Sequence, residues 1–279
     1  MTSMHRLPTF LTFAFVLAFA THDAWAAPAP SRVFLDEMTS PEVQQALRHG
    51  TTTIIIPVGG TEQNGPHMAL GKHNVRVKVL AGRIATTLGN AIVAPVLPYV
   101  PEGGITPPHA HMRWAGTISI SEDAFKGVLD GAARSFAQHG FTDVVLIGDH
   151  GGYQSTLAAV AAKLNRDWAG TPARAHFVGA YYLATQKPFI QALRAAGLGE
   201  SQIGTHAATA DTSLMLATDP SLVNTDALAE AFKGAPDNGV AGDPRAASAA
   251  LGRLGTDAVV SATVAAIRAA IDQRSSKIH

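Results

Sequence analysis

Residues 57–74 place one carboxylate, Glu62, and two imidazoles, His67 and His73, within a single glycine- and proline-rich stretch. Two later segments carry groups of the same kind. Residues 148–152, Gly-Asp-His-Gly-Gly, hold His150, and residues 204–213 hold His206 and Asp211. Imidazole nitrogen and carboxylate oxygen are the donors of a hydrolytic metal site, in which the protein fills some positions around a divalent cation and leaves one open. There is no cysteine. Thiolate ligands and disulfides are thereby excluded, and any such cation must be held by His, Asp or Glu. His109 and His111 lie two apart, so an extended segment would turn both rings to one face. They read as the wall of a pocket before they read as ligands. Lys72, next to His73, reads as a solvated lysine.

The elements that must carry these groups follow from the apolar patterning. Residues 51–56 form a β-branched apolar run, a buried strand that leads into the segment holding Glu62. Residues 75–88 are apolar at helical spacing and end at Gly89-Asn90, a helix stop. Strands are predicted at 91–96, 143–147 and 174–178. Helices are predicted at 41–49 with Ser40 as N-cap, from Ser121 to about 139, at 153–167, at 181–196 with a restart at Pro188, at 211–217, at 225–232 and at 256–271. Residues 98–108 and 233–245, rich in Gly and Pro, read as long loops. Strands alternating with helices predict an α/β fold, a three-layer α/β/α sandwich on a largely parallel sheet. In such sheets ligands bind beyond the carboxyl ends of the strands, where Glu62 and His150 fall. No glycine-rich phosphate loop is present, so no nucleotide cofactor is implied.

The chain has 279 residues, 21 of them basic and 21 acidic, and a balanced charge argues against nucleic acid or an anionic membrane as the main partner. Residues 1–26 read as a signal peptide: a short positive lead, an apolar run over 7–20, then Ala24-Trp-Ala26 as a cleavage signal. The run is short for a membrane span. The mature protein is then a single domain, 27–279, periplasmic or secreted, free of the membrane once the leader is removed, with a small-molecule substrate.

Four ordered blocks carry a resemblance. Glu62-Gln-x-Gly-Pro-His67, Arg113-Trp-Ala-Gly-Thr-Ile-Ser119, His150-Gly-Gly152, and His206-Ala leading to Asp211-Thr-Ser213 resemble the creatininase family of metal-dependent amidohydrolases over about residues 50–220. The resemblance implies metal-assisted hydrolysis of a C–N bond other than a peptide bond, in a small amide that is most simply cyclic, by a homo-oligomer. Family members also include deformylases, a peptide-trimming enzyme and a hydrolase of an inositol-derived keto compound. Dinuclear members have a His where this chain has Asn64, a bridging Asp at His73, and an acid at Gly152. A neutral imidazole offers one lone pair and cannot bridge two ions. The departures therefore imply one metal, most simply Zn2+ with Fe2+ or Mn2+ as alternatives, held by Glu62, His73 and His150. Asp211 would be a fourth ligand or the base that takes a proton from water. His206 would protonate the leaving nitrogen, and His67 would orient a ligand. Three readings stay open beside this one: a lactone or keto-compound hydrolase of the same family, a secreted small-molecule-binding protein with a degenerate site, and an iron-dependent oxygenase.

Overall fold

The computed structural model describes residues 1 and 32–275, so the signal peptide expected over 1–26 lies, but for Met1, outside the described residues. In chain order the first half runs α1 (Ser40–Arg48), β1 (Thr53–Val58), α2 (Lys72–Leu88), β2 (Ala91–Val93), α3 (Glu122–Gln138), β3 (Asp143–Gly148), α4 (Gln154–Asp167) and β4 (Arg174–Phe177). Then come α5 (Ala180–Gln186), α6 (Pro188–Ala195), α7 (Glu200–Ile203), α8 (Thr209–Thr218), α9 (Leu228–Lys233) and α10 (Ala249–Ser275).

The strands pair in the order β2-β1-β3-β4, all parallel. Every residue of β1 and β3 is buried, as a parallel sheet covered on both faces requires. Ile54, Ile56 and Val58 point to one face and pack with Phe125 and Leu129 of α3 and Leu157 of α4. Ile55 points the other way and packs with Val77, Leu80 and Ile84 of α2, Tyr181 of α5 and Val259 of α10. Each isoleucine so buried contributes roughly 2–3 kcal/mol. The result is the three-layer α/β/α sandwich. Register pairs Val58 with Gly148, so the two central strands end side by side and deliver their following loops to one place.

Several boundaries differ from expectation for physical reasons. Thr39, not Ser40, caps α1, because Glu42 reaches back to accept from the Thr39 N–H at 2.6 Å and its Oγ1 at 2.8 Å. Helix α2 starts at Lys72 rather than 75, so Lys72 and His73 belong to its first turn, and both side chains turn inward to buried carboxylates. Helix α10 runs from 249 to 275 instead of 256–271. Its Gly252 would lower isolated helix stability by about 1 kcal/mol. Here it is required by packing, since a Cβ there would lie 1.8 Å from the Ser213 carbonyl oxygen on α8.

Candidate metal centre

Glu62 sits at the mouth formed by β1 and β3 and has no solvent exposure. Its two oxygens have different surroundings. Oε1 is taken up by the protein: His73 Nε2 lies at 2.8 Å and Lys72 Nζ at 3.2 Å. Oε2 makes no hydrogen bond, although His111 Nε2 is 3.1 Å away and His150 Nε2 is 3.6 Å away. Glu62, His111 and His150 each offer one donor atom, all within 4.8 Å of one another. A buried carboxylate oxygen without a partner, faced by two imidazole nitrogens, is a donor set that fits a divalent cation.

A charge network lies behind Glu62. His73 Nδ1 is 2.6 Å from Asp149 Oδ2, so its two nitrogens face two carboxylates. Arg76 donates through Nε to Asp149 at 2.8 Å and through Nη1 to Asp211 at 3.0 Å. Lys72 donates to Asp211 at 2.7 Å, and the Tyr181 hydroxyl donates to Asp149 at 2.8 Å. Lys72 is 1 % exposed, so it is an interior cation and not the solvated lysine expected. Burial and the Lys72 charge pull the His73 pKa down, yet the Asp149 and Glu62 carboxylates outweigh them and raise it. Burial alone would push Glu62 and Asp211 up, but Lys72, with His73 at Glu62 and Arg76 at Asp211, holds both well below the usual carboxylate range. Three cations thus balance three carboxylates.

Four rings around the centre are held neutral by burial. Burial lowers His150 from its ordinary 6.5 to about 3, His206 to about 4 and His67 to about 4, and it lowers His111 as well. His206 Nε2 is 3.0 Å from the Gln63 carbonyl, which can only accept, and 3.2 Å from the Gln63 side-chain amide nitrogen; when Nε2 donates to the nearer carbonyl, Nδ1 keeps its lone pair 3.7 Å from Glu62 Oε1. The turn that presents His206 is strained: Ala207 has φ 52°, and its N–H donates to Asp211 Oδ2 at 3.1 Å.

Of the four residues expected to share an ion, Glu62 and His150 stand in the group of three. His73 and Asp211 stand outside it, each committed to the charge network. His111, expected as pocket wall, supplies the third atom from a short 3-10 turn, Ala110–Arg113. Its partner His109 faces the other way, with Nδ1 accepting the Gly104 N–H at 3.3 Å. His67 bonds Thr212 Oγ1 at 3.0 Å and steadies α8. Asn64 donates to the Glu62 and Ala69 carbonyls, both at 2.9 Å, and fixes the loop. Sequence reasoning missed Arg76, Asp149, Gln63 and Glu102. Arg76 was findable: on a helix that includes His73 it lies one turn on, on the same face. Glu102 is 3 % exposed, neither of its carboxylate oxygens has a hydrogen-bond partner, and burial together with the Glu62 charge pushes it up to about 8. The only hint was a lone acid between Pro101 and two glycines.

A cavity of about 290 Å³ opens beside the group, with Lys72, Arg76 and Asp211 on its charged side and Tyr182, Phe189 and Leu214 on its apolar side. It suits a small molecule.

Comparison with known proteins gives a consistent picture. A family model described as creatinine amidohydrolase matches residues 36–267. The chain is 29 % identical over 204 residues to the creatinine amidohydrolase of Pseudomonas putida, covering 70 % of this chain and 75 % of that one. It is 30 % identical over 122 residues to the 3-dehydro-scyllo-inosose hydrolase of Thermotoga maritima, covering 44 % of this chain but only 37 % of that relative. Among solved structures, a manganese creatininase superposes with TM-score 0.70 at 26 % identity, covering 85 % of this chain and 98 % of the other. A zinc–zinc form of a mutant creatininase superposes with the same score at 25 % identity, covering 85 % and 97 %.

Proposed function

The chain belongs to the creatininase family of amidohydrolases, and from that premise we propose that it hydrolyses a C–N bond in a small, most simply cyclic, amide, with one divalent cation. The observation that carries this is the division of labour at Glu62: Oε1 is held by Lys72 and His73, while Oε2 is bare and faces His111 and His150. Glu62, His111 and His150 would hold the ion. With Oε1 already neutralised by two protein cations, Glu62 has no second free oxygen with which to bridge to another ion. A divalent cation in this place supplies Lewis acidity, polarising an amide carbonyl and making a water acidic enough to attack it near neutral pH.

The chain's own residues do the rest. His206, neutral and with Nδ1 turned into the site, accepts the proton released as water attacks and returns it to the leaving nitrogen. Asp211 has both oxygens committed, Oδ1 to Arg76 and Oδ2 to Lys72 and the Ala207 N–H. It holds Lys72, Arg76 and the Ala207 turn in place. The cavity positions the substrate against the group and limits its size. Zn2+ fits the two-imidazole, one-carboxylate set, with Mn2+ and Fe2+ as alternatives. We further take residues 1–26 as a cleaved leader, the working compartment as the periplasm or outside the cell, and the assembly as a homo-oligomer. Cell fractionation and light scattering test those points.

The decisive measurement is metal content of purified protein, followed by an acid- and amine-release screen over lactams, formamides and lactones. About one equivalent of metal and turnover of amides support the reading. A protein that stays metal-free after zinc, manganese and iron supplementation is a small-molecule-binding protein instead, a reading favoured by how fully Lys72 and His73 neutralise Glu62. Turnover of lactones alone would move the assignment to ester chemistry.

A further inference from the structure

His150 has two nitrogens with different neighbours. Nε2 faces Glu62 Oε2 at 3.6 Å, on the side where the cation would sit. Nδ1 has two competing neighbours: the Gly152 N–H, which points at it from 3.2 Å, and Glu102 Oε2 at 3.7 Å. The two ask for opposite tautomers. Accepting from Gly152 puts the ring proton on Nε2 and removes the lone pair a cation needs. Donating to Glu102 puts the proton on Nδ1 and frees Nε2.

Glu102 is built into its position. Its backbone N–H donates to Ser119 Oγ at 3.0 Å, Ser119 Oγ donates in turn to the Gly103 carbonyl at 2.7 Å, and the Ile120 N–H donates to the Val100 carbonyl at 3.2 Å. The segment is therefore pinned on both sides of residue 102. Room for the carboxylate depends on Gly60, where a Cβ would come 2.5 Å from Glu102 Oε1 and where φ is +148°. A carboxyl buried in this way with neither oxygen hydrogen-bonded weakens the fold, since an apolar residue of the same shape would need no partner.

We propose that Glu102 is a positioning residue for the metal centre, accepting the Nδ1 proton of His150 and so selecting the ring tautomer that presents Nε2 to the cation. The inference rests on the one-cation reading above and adds to it the group that prepares a ligand. Carboxylates behind metal-binding imidazoles fix ring orientation and raise ligand basicity, and their loss weakens metal binding by about 10–100-fold.

The test compares wild type with Glu102→Met and Glu102→Gln in three measurements: Zn2+ titration, melting of the chelator-treated protein, and imidazole 15N spectra of the zinc-loaded protein. Glu102→Met should melt at or above wild type without metal, bind Zn2+ about 10–100-fold more weakly, and lose the Nδ1-protonated signature of His150. Glu102→Gln keeps a neutral acceptor and should fall between the two. Zn2+ binding as tight as wild type in both variants, with the Nδ1 proton retained, would overturn the inference and leave the one-cation reading standing. If Glu102→Met does not fold, Glu102→Gln decides by the same criterion. A wild type that binds no Zn2+, Mn2+ or Fe2+ overturns the cation reading, and this inference with it.

Discussion

Glu62 has one oxygen inside the protein's charge network and one outside it, and substitutions should separate the two roles. Glu62→Ala and His150→Ala should each abolish metal binding and turnover, by more than about 100-fold, while circular dichroism stays near wild type. Both retaining a full equivalent of metal would show that the site is misplaced. Lys72→Met acts on the other side. It removes one partner from a buried set that includes Glu62 and Asp211, and stranding a buried carboxylate costs about 3–5 kcal/mol. A large fall in denaturation midpoint is therefore expected, and a shift within about 0.5 kcal/mol would mean that Lys72 is not neutralising these groups. Lys72 also shows where residue-by-residue reading fails. A lysine beside a glycine looks solvated, and its inward turn follows from Glu62 and from Asp211, 139 residues away.

At the scale of elements, most of the layout was legible. The apolar runs at 51–56 and 143–147 gave the two central strands because strands buried on both faces need no alternation, and the glycines that follow marked the loops holding Glu62 and His150. The start of α2 was not legible, since the charged and polar run 72–74 carries no apolar period; three residues' difference moved His73 from loop to helix and into reach of Asp149. His111 was seen but set aside, because only the tertiary path of the 98–120 segment brings it to Glu62. The elements also set what a second ion would require. Replacing Asn64→His, His73→Asp and Gly152→Glu together restores the donors of a dinuclear arrangement, and metal content should rise toward two equivalents. Gly152→Glu alone should not do so. A Cβ at 152 would lie 3.1 Å from His150 Cε1, so the added side chain crowds the ring and should weaken binding of the first ion. Unchanged content in the triple variant would show that these three positions do not set the metal count.

For the molecule as a whole, the buried groups around the centre make opposing demands on pH, and their sum predicts where the metal-free protein is most stable. His150, His206 and His67 stay neutral in the fold down to about 3, 4 and 4, whereas the unfolded rings take up protons below about 6.5. Between those limits the unfolded state binds more protons, so stability falls as pH falls. Glu62, Asp149 and Asp211, all lowered, hold their contribution above the ordinary carboxylate range and lose it as pH drops through their folded values, which extends the acid limb. Glu102 runs the other way. The folded state keeps its proton up to about 8 while the unfolded chain releases it near 4.5, so across that window stability declines as pH rises. His73, raised, adds to the same limb: its contribution is complete below 6.5 and is lost as pH climbs through its folded value. From pH 4.5 to 6.5 these three rings, joined by His111, which is lowered in the same direction, oppose one carboxyl, a net of at least about two protons or roughly 3 kcal/mol per pH unit at the steepest. Above 6.5 the sign reverses. Chelator-treated protein should therefore melt highest near pH 6.5, falling steeply on the acid side and gently on the alkaline side, and Glu102→Gln should flatten the alkaline limb, steepen the acid limb between pH 4.5 and 6.5, and move the maximum upward. A melting profile that keeps rising through pH 8, in wild type and variant alike, would mean that Glu102 is ionised in the metal-free fold and that the charge around Glu62 is balanced differently.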